Sequence, residues 1–162
     1  LLGGLMGFDT DDVRIRDSFE IARERGIAYR FLTDEKETDV HPNTVDIRMR
    51  NDSGTQMSVR GESLGGGKVR IVRINQVKVE FTGEYNAVII IQKDRPGVAA
   101  HITRALSDRG VNIAFMRLFR ESKGEKAYTI VESDDRLPED IIGQLLENPN
   151  IREVMLVQKS SQ

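Results

Sequence analysis

The sequence of 162 residues contains no cysteine. Disulfides, thiolate zinc sites, a cysteine nucleophile and an iron–sulfur cluster bound by this chain are therefore excluded. Histidine is scarce as well, because His41 and His101 lie far apart and no HExxH pattern is present. We expect no metal site formed by this chain alone.

The sequence also lacks an excess of one charge and any long apolar run. It has 24 Lys and Arg against 26 Asp and Glu, for a formal net charge of −2. Without clustered basic residues, the sequence does not indicate a nucleic-acid-binding protein. The longest apolar runs, such as Ala87–Ile91, are far too short to cross a membrane, and no secretory signal is visible. We therefore expect a cytoplasmic protein.

The length suffices for one domain or two small ones with a real hydrophobic core. The sequence begins Leu1-Leu2-Gly3-Gly4 rather than with Met, a start typical of the interior of a domain. We therefore expect the first domain to be incomplete.

Hydrophobic periodicity in the first half predicts a helix followed by an antiparallel sheet. Ile15, Phe19 and Ala22 recur at helical spacing within residues 11–25, and Gly26 is a helix stop signal. Further predictions are a strand at 27–32, an acidic loop at 33–39, and strands near 45–50, 57–59, 68–75 and 77–82. This half is predicted to be an α+β unit.

The second half, after a joint at 83–86, alternates strands and helices. The β-branched run Val88–Ile91 predicts a buried strand, Pro96 the first residue of a helix and Gly110 its end. The full order is strand 87–92, helix 96–109, strand 111–120, strand 126–132, helix 138–147 and strand 151–158. This βαββαβ order predicts a ferredoxin-like fold.

A strand end, a helix start and the beginning of the next strand converge within Ala87–Asn112. Unpaired N–H groups at such a helix start favour an anionic ligand, for example a small carboxylate. A strand–turn–helix unit without a ligand is the commoner case, and both interpretations stay open here.

The segment Ser63–Lys68 reads SLGGGK, which suggests a phosphate loop but does not fit that motif. Glu62 occupies the first glycine position, and Val69 replaces the Ser or Thr that would bind magnesium. The glycine run still offers N–H groups, and Lys68 an ammonium, which together can hold a carboxylate or phosphate. The alternative is a glycine bulge that lets the sheet bend.

The segment His41-Pro42-Asn43-Thr44 offers an imidazole and two polar side chains near that glycine run. Taken alone, it is better explained as a turn capped by Asn43. A pocket shared by His41 and Ser63 would favour a binding role instead.

Two motifs of the second half resemble the ACT domain. They are Lys93–Val98 before the first helix and Gly110–Ile113 after it, on the βαββαβ frame. The resemblance implies binding of amino acids at paired domains, and thus a homodimer formed through the ACT domain. The sheet itself indicates only an open edge that needs covering.

By the same resemblance, the effector pocket lies where the first strand ends and includes Gln92, Asp94, Gly97 and Asn112. Serine-inhibited dehydrogenases of similar sequence tend to carry His and Asn in place of Gln92 and Asp94. The Asp94 carboxylate would repel the carboxylate of an amino acid, whereas Asn112 can both donate and accept hydrogen bonds. Serine binding is therefore not favoured at this pocket, and capping of the helix at Pro96 is an alternative role for Asp94.

Three segments of the first half resemble the β chain of the iron–sulfur-dependent L-serine dehydratases, and this resemblance covers essentially the whole chain. The segments are 2–12, 41–44 and 63–67. The resemblance implies a partial serine dehydratase β-chain type domain at 1–83 and an ACT domain at 84–162. The Gly-Pro-Ser-Ser-Ser-His-Thr segment that comes earlier in the family is not in this sequence.

The family reaction converts L-serine to pyruvate and ammonia, with a [4Fe–4S] cluster acting as Lewis acid on the substrate. The lack of cysteine fits a cluster carried by a separate α subunit, so this chain would complete or regulate the enzyme without a catalytic residue of its own. The resemblance favours a binding site for L-serine or a related amino acid in the first domain. Its candidate residues are His41, Asn43, Thr44, Ser63, Gly65, Gly66, Gly67 and Lys68.

Two other functions stay open. The first domain is also similar to a regulatory domain of some phosphoglycerate dehydrogenases, so the chain could be an amino-acid-binding fragment of such an enzyme. That alternative requires a Rossmann domain with GxGxxG upstream, and none is present in this sequence. A free-standing ACT-type sensor would instead bind an amino acid without any enzyme partner.

Overall fold

The computed structural model describes residues 1–33, 37 and 39–159. The chain divides into two compact units, Leu1–Val40 and a second one that begins at His41. The predicted acidic loop at 33–39 falls mostly outside the described residues. No helix in the described part of the chain has the length and apolar character that a membrane crossing requires.

The first unit contains short helices. They are α1 (Leu2–Leu5), a 3-10 helix (Val13–Asp17) and α2 (Ser18–Glu24). The Asp12 carboxylate caps the 3-10 helix by accepting a hydrogen bond from the Arg14 backbone N–H at 2.9 Å. At the other end, Gly26 adopts φ +68° and the Ile27 N–H bonds the Ala22 carbonyl at 2.8 Å, as expected of a glycine helix stop.

The predicted strand at 27–32 is wrong, because these residues form no strand. Their aromatic side chains pack on α2 instead. The Phe19 ring lies 5.5 Å from the Tyr29 ring and 6.1 Å from the Phe31 ring, between centroids. β propensity alone does not make a strand when no neighbouring strand pairs with it.

The second unit begins with an antiparallel sheet in the order β1-β2-β3-β4. Its strands are β1 (Thr44–Arg50), β2 (Gln56–Gly65), β3 (Lys68–Ile74) and β4 (Val77–Thr82). Each strand pairs antiparallel with the next along the chain, which agrees with the predicted antiparallel sheet. Asn75 makes the tight β3–β4 turn at φ +53°.

The second sheet has the order β6-β7-β5-β8 and carries two helices. The elements are β5 (Asn86–Lys93), α3 (Val98–Ser107), β6 (Phe115–Arg120), β7 (Lys126–Ser133), α4 (Ile141–Leu146) and β8 (Ile151–Val157). This confirms the predicted α+β class and βαββαβ order.

The ends of α3 differ from the prediction. Gly97, not a residue before Pro96, is the N-cap, and its φ of +86° delays the helix to Val98. At the other end, the Val111 N–H bonds the Leu106 carbonyl at 3.0 Å, which closes a Schellman cap at Gly110. Because Val111 still belongs to this cap, β6 begins only at Phe115 rather than at 111.

The strand β5 is buried on both faces. Val88 and Ile90 face the helices, where they pack with Ile102 and Leu106 of α3. Ile89 and Ile91 face the first sheet, which covers them with side chains from β3 and β4, namely Ile74, Val77, Val79 and Phe81. Burial of each of these β5 side chains stabilises the fold by about 2 kcal/mol. A strand covered on two faces has no polar alternation, which explains the continuous run Val88–Ile91 in the sequence.

Candidate functional site

The structure brings the segment His41–Thr44 next to Ser63. The Ser63 N–H donates to the Asn43 carbonyl at 3.0 Å, and Thr44 lies opposite Glu62 in the β1–β2 ladder. The 41–44 turn is also held by its own polar groups. The Asn43 N–H donates to Nδ1 of His41 at 3.2 Å, and Oγ1 of Thr44 donates to the His41 carbonyl at 2.6 Å.

The glycine run forms the hairpin turn between β2 and β3. Gly65, Gly66 and Gly67 have φ angles of +86°, +60° and +77°. A two-residue loop with positive φ at both central positions, here Gly66 and Gly67, suits the twist of a hairpin. The ladder shifts register between Ser63 and Gly65, so the expected irregularity in the sheet is also present.

Lys68, which follows the hairpin turn, extends into solvent. Its Nζ lies 3.4 Å from Oε1 of Glu84, and the two side chains are 69% and 54% exposed. An exposed pair of this kind contributes little to stability, so Lys68 can readily exchange Glu84 for another partner.

The eight residues predicted as a ligand site in the first half lie together at one end of the first sheet, because the 41–44 turn bonds Ser63 next to the glycine hairpin. Their role in binding a ligand stays a prediction.

An ionic network on β1, β2 and β3 was not anticipated from the sequence. The Asp46 carboxylate accepts hydrogen bonds from Arg60 at 2.5 and 2.8 Å and from Arg73 at 3.1 Å. These bonds, chiefly the one from Arg60, lower the pKa of Asp46 from 3.8 to about 2. The side chain of Arg60 is only 10% exposed, so the network fixes the register of the strands that lead to the candidate site. Asp46 and Arg60 lie directly opposite each other in the β1–β2 ladder and have opposite charges. The sequence would have indicated this ion pair only if the strand register had been known.

The four residues predicted for the ACT pocket have different surroundings. Gln92 is 2% exposed, and its Oε1 accepts a hydrogen bond from Oγ1 of Thr129 at 3.2 Å. Gly97 is the αL cap of α3. Asn112 is exposed in the connection between α3 and β6. A role of these residues in effector binding stays a prediction.

Asp94 does not cap the helix, so that alternative is wrong. The N-cap of α3 is Gly97, and no side chain bonds the first turn. Oδ2 of Asp94 instead accepts hydrogen bonds from the Gly124 N–H at 3.0 Å and from Nη1 of Arg120 at 3.3 Å. The Gly124 N–H above all holds the pKa of Asp94 below its usual value. Asp94 thus ties the end of β5 to the β6–β7 turn.

Among the residues that the structure describes, no group of three or more His, Cys, Asp and Glu side chains is arranged to hold a metal ion. Together with the absence of cysteine from the sequence, this donor set does not fit an iron–sulfur cluster.

Comparison with known proteins supports both resemblances. Residues 87–150 match the ACT domain family. The chain is 31% identical over 154 residues to the probable L-serine dehydratase, beta chain, of Bacillus subtilis (strain 168), covering 95% of this chain and 69% of that protein. It is 34% identical over 146 residues to the L-serine dehydratase, beta chain, of Peptoniphilus asaccharolyticus, covering 90% of this chain and 66% of that protein.

A more distant similarity extends to a second kind of protein. The chain is 29% identical over 137 residues to the D-3-phosphoglycerate dehydrogenase of Bacillus subtilis (strain 168), but it covers only 26% of that protein. Against the two beta chains it matches along nearly its whole length and spans about two-thirds of theirs. The chain belongs to the family of L-serine dehydratase beta chains.

Proposed function

We propose that this chain is the β subunit of an iron–sulfur L-serine dehydratase, which converts L-serine to pyruvate and ammonia together with a separate α subunit. The similarity to the beta chain of Bacillus subtilis (strain 168), over 95% of this chain, carries the proposal. In it, residues 1–83 form a partial β-chain domain and residues 84–162 an ACT domain.

The [4Fe–4S] cluster belongs to the α subunit in this proposal. The residues of this chain do not fit such a cluster, because there is no thiolate to bind iron. The contribution of this chain is therefore binding and regulation, not the chemical step.

The end of the first sheet near Ser63 is the better candidate for the ligand site. There the hairpin presents Gly66 and Gly67 at positive φ with no side chain in the way, and Lys68 offers an exposed ammonium. Backbone N–H groups next to a cation suit a carboxylate. At the ACT pocket, by contrast, the Asp94 carboxylate is already engaged by Gly124 and Arg120, so it is not free to accept a hydrogen bond from the amino group of an amino acid. The ACT sheet serves instead as the scaffold of a homodimer, with β6 and β8 as its two edges.

Reconstitution with an α chain tests the subunit role. We expect pyruvate formation from L-serine by the loaded α chain to rise several-fold when this chain is added. Equal activity with and without this chain would show that the subunit role is wrong.

Paired variants then locate the ligand site. Lys68→Gln should raise the KM for L-serine in the reconstituted enzyme. The matched control Lys78→Gln removes the same charge from an exposed position on β4 and should leave the KM unchanged. An equal response of the two variants would exclude the hairpin as the site.

The alternative function, a regulatory fragment of a phosphoglycerate dehydrogenase, is favoured by the match over 137 residues to that enzyme. Its coverage of only 26% of the enzyme makes it the second choice. It predicts that the chain binds L-serine in calorimetry but does not change the activity of the α chain.

A further inference from the structure

A cavity of about 600 Å³ opens in the second unit, where the ends of its two sheets meet. The first sheet contributes Gln56 and Asn75, which lie at the end opposite the hairpin of Gly66 and Gly67. The second sheet contributes the end of β5, the start of β7 and the start of β8. These parts bring four basic and two acidic side chains into the cavity, namely Lys93, Arg95, Lys126, Arg152, Glu125 and Glu153. A volume of this size suits a small metabolite.

Strand register places the positive charges of this cavity close together. Lys93 and Lys126 lie directly opposite each other in the β5–β7 ladder. Arg152 is the extra residue of the register shift between β5 and β8, where Ile91 pairs with Glu153 and Gln92 with Ile151. A bulge at this place turns an additional side chain toward the strand end.

Arg95 closes the side of the cavity next to the β6–β7 turn. Its Nη1 would lie 3.6 Å from a Cβ built on Gly124, so the guanidinium rests against that glycine. The same turn is anchored to β5 by the hydrogen bond from the Gly124 N–H to Asp94. The Arg95 side chain thus rests on a turn that is itself hydrogen-bonded to the end of β5.

None of the four cations Lys93, Arg95, Lys126 and Arg152 forms an ion pair within 4 Å among the residues that the structure describes, although Arg95 interacts electrostatically with Asp94 at longer range. Like charges directly opposite in a ladder destabilise a sheet. Glu125 and Glu153 also line the cavity and offset part of this charge, which leaves a surplus of two positive charges. An unpaired Lys–Lys juxtaposition costs stability in the free protein, and a bound anion removes that cost.

The back wall of the cavity is rigid. Tyr128 is fully buried, and its hydroxyl accepts a hydrogen bond from Nδ2 of Asn75 at 3.1 Å. Oδ1 of Asn75 accepts from the Ser58 N–H at 2.9 Å, so both polar atoms of this amide are used. Asn75 and Tyr128 are therefore bonded within the protein, and the surplus positive charge of the cavity comes from the four cations.

We propose that this cavity binds a small doubly charged anion, either a phosphate monoester or a dicarboxylate. The two arginines supply planar donors that bind phosphate and carboxylate oxygens in pairs, and the two lysines supply point charges. The surplus of two positive charges matches a dianion. This site goes beyond the subunit role and does not depend on it, because it lies at the other end of the first sheet from the candidate serine site.

Titration of the full chain at low ionic strength tests the proposal, with backbone amide NMR shifts as the readout. The probes are inorganic phosphate, succinate and sodium chloride. We expect phosphate or succinate to shift the amides of Gly124 and Lys126 with saturation, whereas chloride shifts them only in proportion to ionic strength. A response to phosphate alone assigns the phosphate class, and a response to succinate alone assigns the dicarboxylate class.

A matched pair of double variants measures the contribution of the cations. Lys93→Gln/Arg152→Gln should weaken binding about tenfold or more, because each charge-assisted contact is lost. Arg48→Gln/Lys78→Gln removes one Arg and one Lys from outside the cavity and should weaken binding by less than about twofold, through long-range charge alone.

Two outcomes would overturn the site. One is the absence of a saturable shift at Gly124 and Lys126 in the wild-type chain with either dianion. The other is equal weakening by the two double variants. The wild-type titration decides the question even if a variant does not fold.

Discussion

The Arg117 guanidinium forms an ion pair with the Glu132 carboxylate across the neighbouring strands β6 and β7. The Glu132 side chain is 2% exposed, while Arg117 is 38% exposed and also lies 4.9 Å from the centre of the Phe115 ring. A buried carboxylate without a partner is costly. Arg117 therefore makes the burial of Glu132 possible near the open edge of the ACT sheet.

Arg117→Met should lower the free energy of unfolding by about 2–3 kcal/mol, because Glu132 then stays buried without a partner. Adding Glu132→Gln should recover part of this loss, since a neutral amide costs less to bury than a carboxylate. Urea denaturation of both variants gives the two values. Arg104→Met, on the exposed side of α3, is the control and should change stability by less than about 0.5 kcal/mol. Equal losses for the single and double variants would contradict the pairing.

Asp46 should make the stability of the chain depend on pH in the acid range. Its pKa is lowered from 3.8 to about 2 in the folded state, so the ionised carboxylate stabilises the fold above the unfolded-state pKa. This contribution is lost as the pH falls through the folded-state value of about 2. The difference in unfolding free energy between wild type and Asp46→Asn should therefore shrink between about pH 5 and pH 2.

The matched control for this pH dependence is Asp52→Asn, at an exposed turn position between β1 and β2. Asp52 forms no ion pair among the described residues, so its replacement should change the free energy of unfolding by less than about 0.5 kcal/mol. A difference for Asp46→Asn that does not change with pH would show that the bonds to Arg60 and Arg73 do not stabilise the fold.

Asp94 should act on the β6–β7 turn rather than on amino-acid binding. Asp94→Ala removes the acceptor for the Gly124 N–H, so exchange of that amide with solvent should become faster. Asp94→Asn keeps an oxygen acceptor but loses the charge that faces Arg120, so its effect should be smaller. Hydrogen exchange followed by NMR measures both. If the variants change the affinity for L-serine but leave the exchange of the Gly124 amide unaltered, Asp94 acts in effector binding and not in the turn.

The sequence predicted local structure where local chemistry decides it. Val88–Ile91 was correctly predicted as a buried strand, since four successive β-branched residues fit only a strand that is covered on both faces. The sequence did not reveal that Val79 and Phe81 of β4 supply the second cover, because alternation marks an apolar face but not its partner. Residues 27–32 show that β propensity has the same limit: they form no strand, because no neighbouring strand pairs with them.

The candidate site was predictable only in part for the same reason. The glycine run and the 41–44 turn were recognised separately, but their contact through Ser63 and Asn43 depends on the β1–β2 register. The partner of Asp94 is Gly124, 30 positions away, so a local helix cap was the nearest explanation that the sequence offered. Long-range pairing decides both cases.

Gly66→Ala and Gly67→Ala separate the turn role of the hairpin from its binding role. No atom lies within 4 Å of a Cβ at either position, so the cost comes only from the φ angles of +60° and +77° and should be about 1–2 kcal/mol for each variant. Gly143→Ala is the matched control, since it also meets no atom within 4 Å but lies in α4 without positive φ. It should stabilise the chain by roughly 0.5–1 kcal/mol.

The binding role of the hairpin is tested by Gly66→Asn. This variant should keep nearly full stability, because Asn tolerates the turn conformation. Its added side chain, however, should obstruct a ligand that bonds the N–H groups of the hairpin. If the hairpin binds the carboxylate of L-serine, Gly66→Asn should raise the KM of the reconstituted enzyme without loss of stability. An unchanged KM would leave the glycine run with a turn role alone.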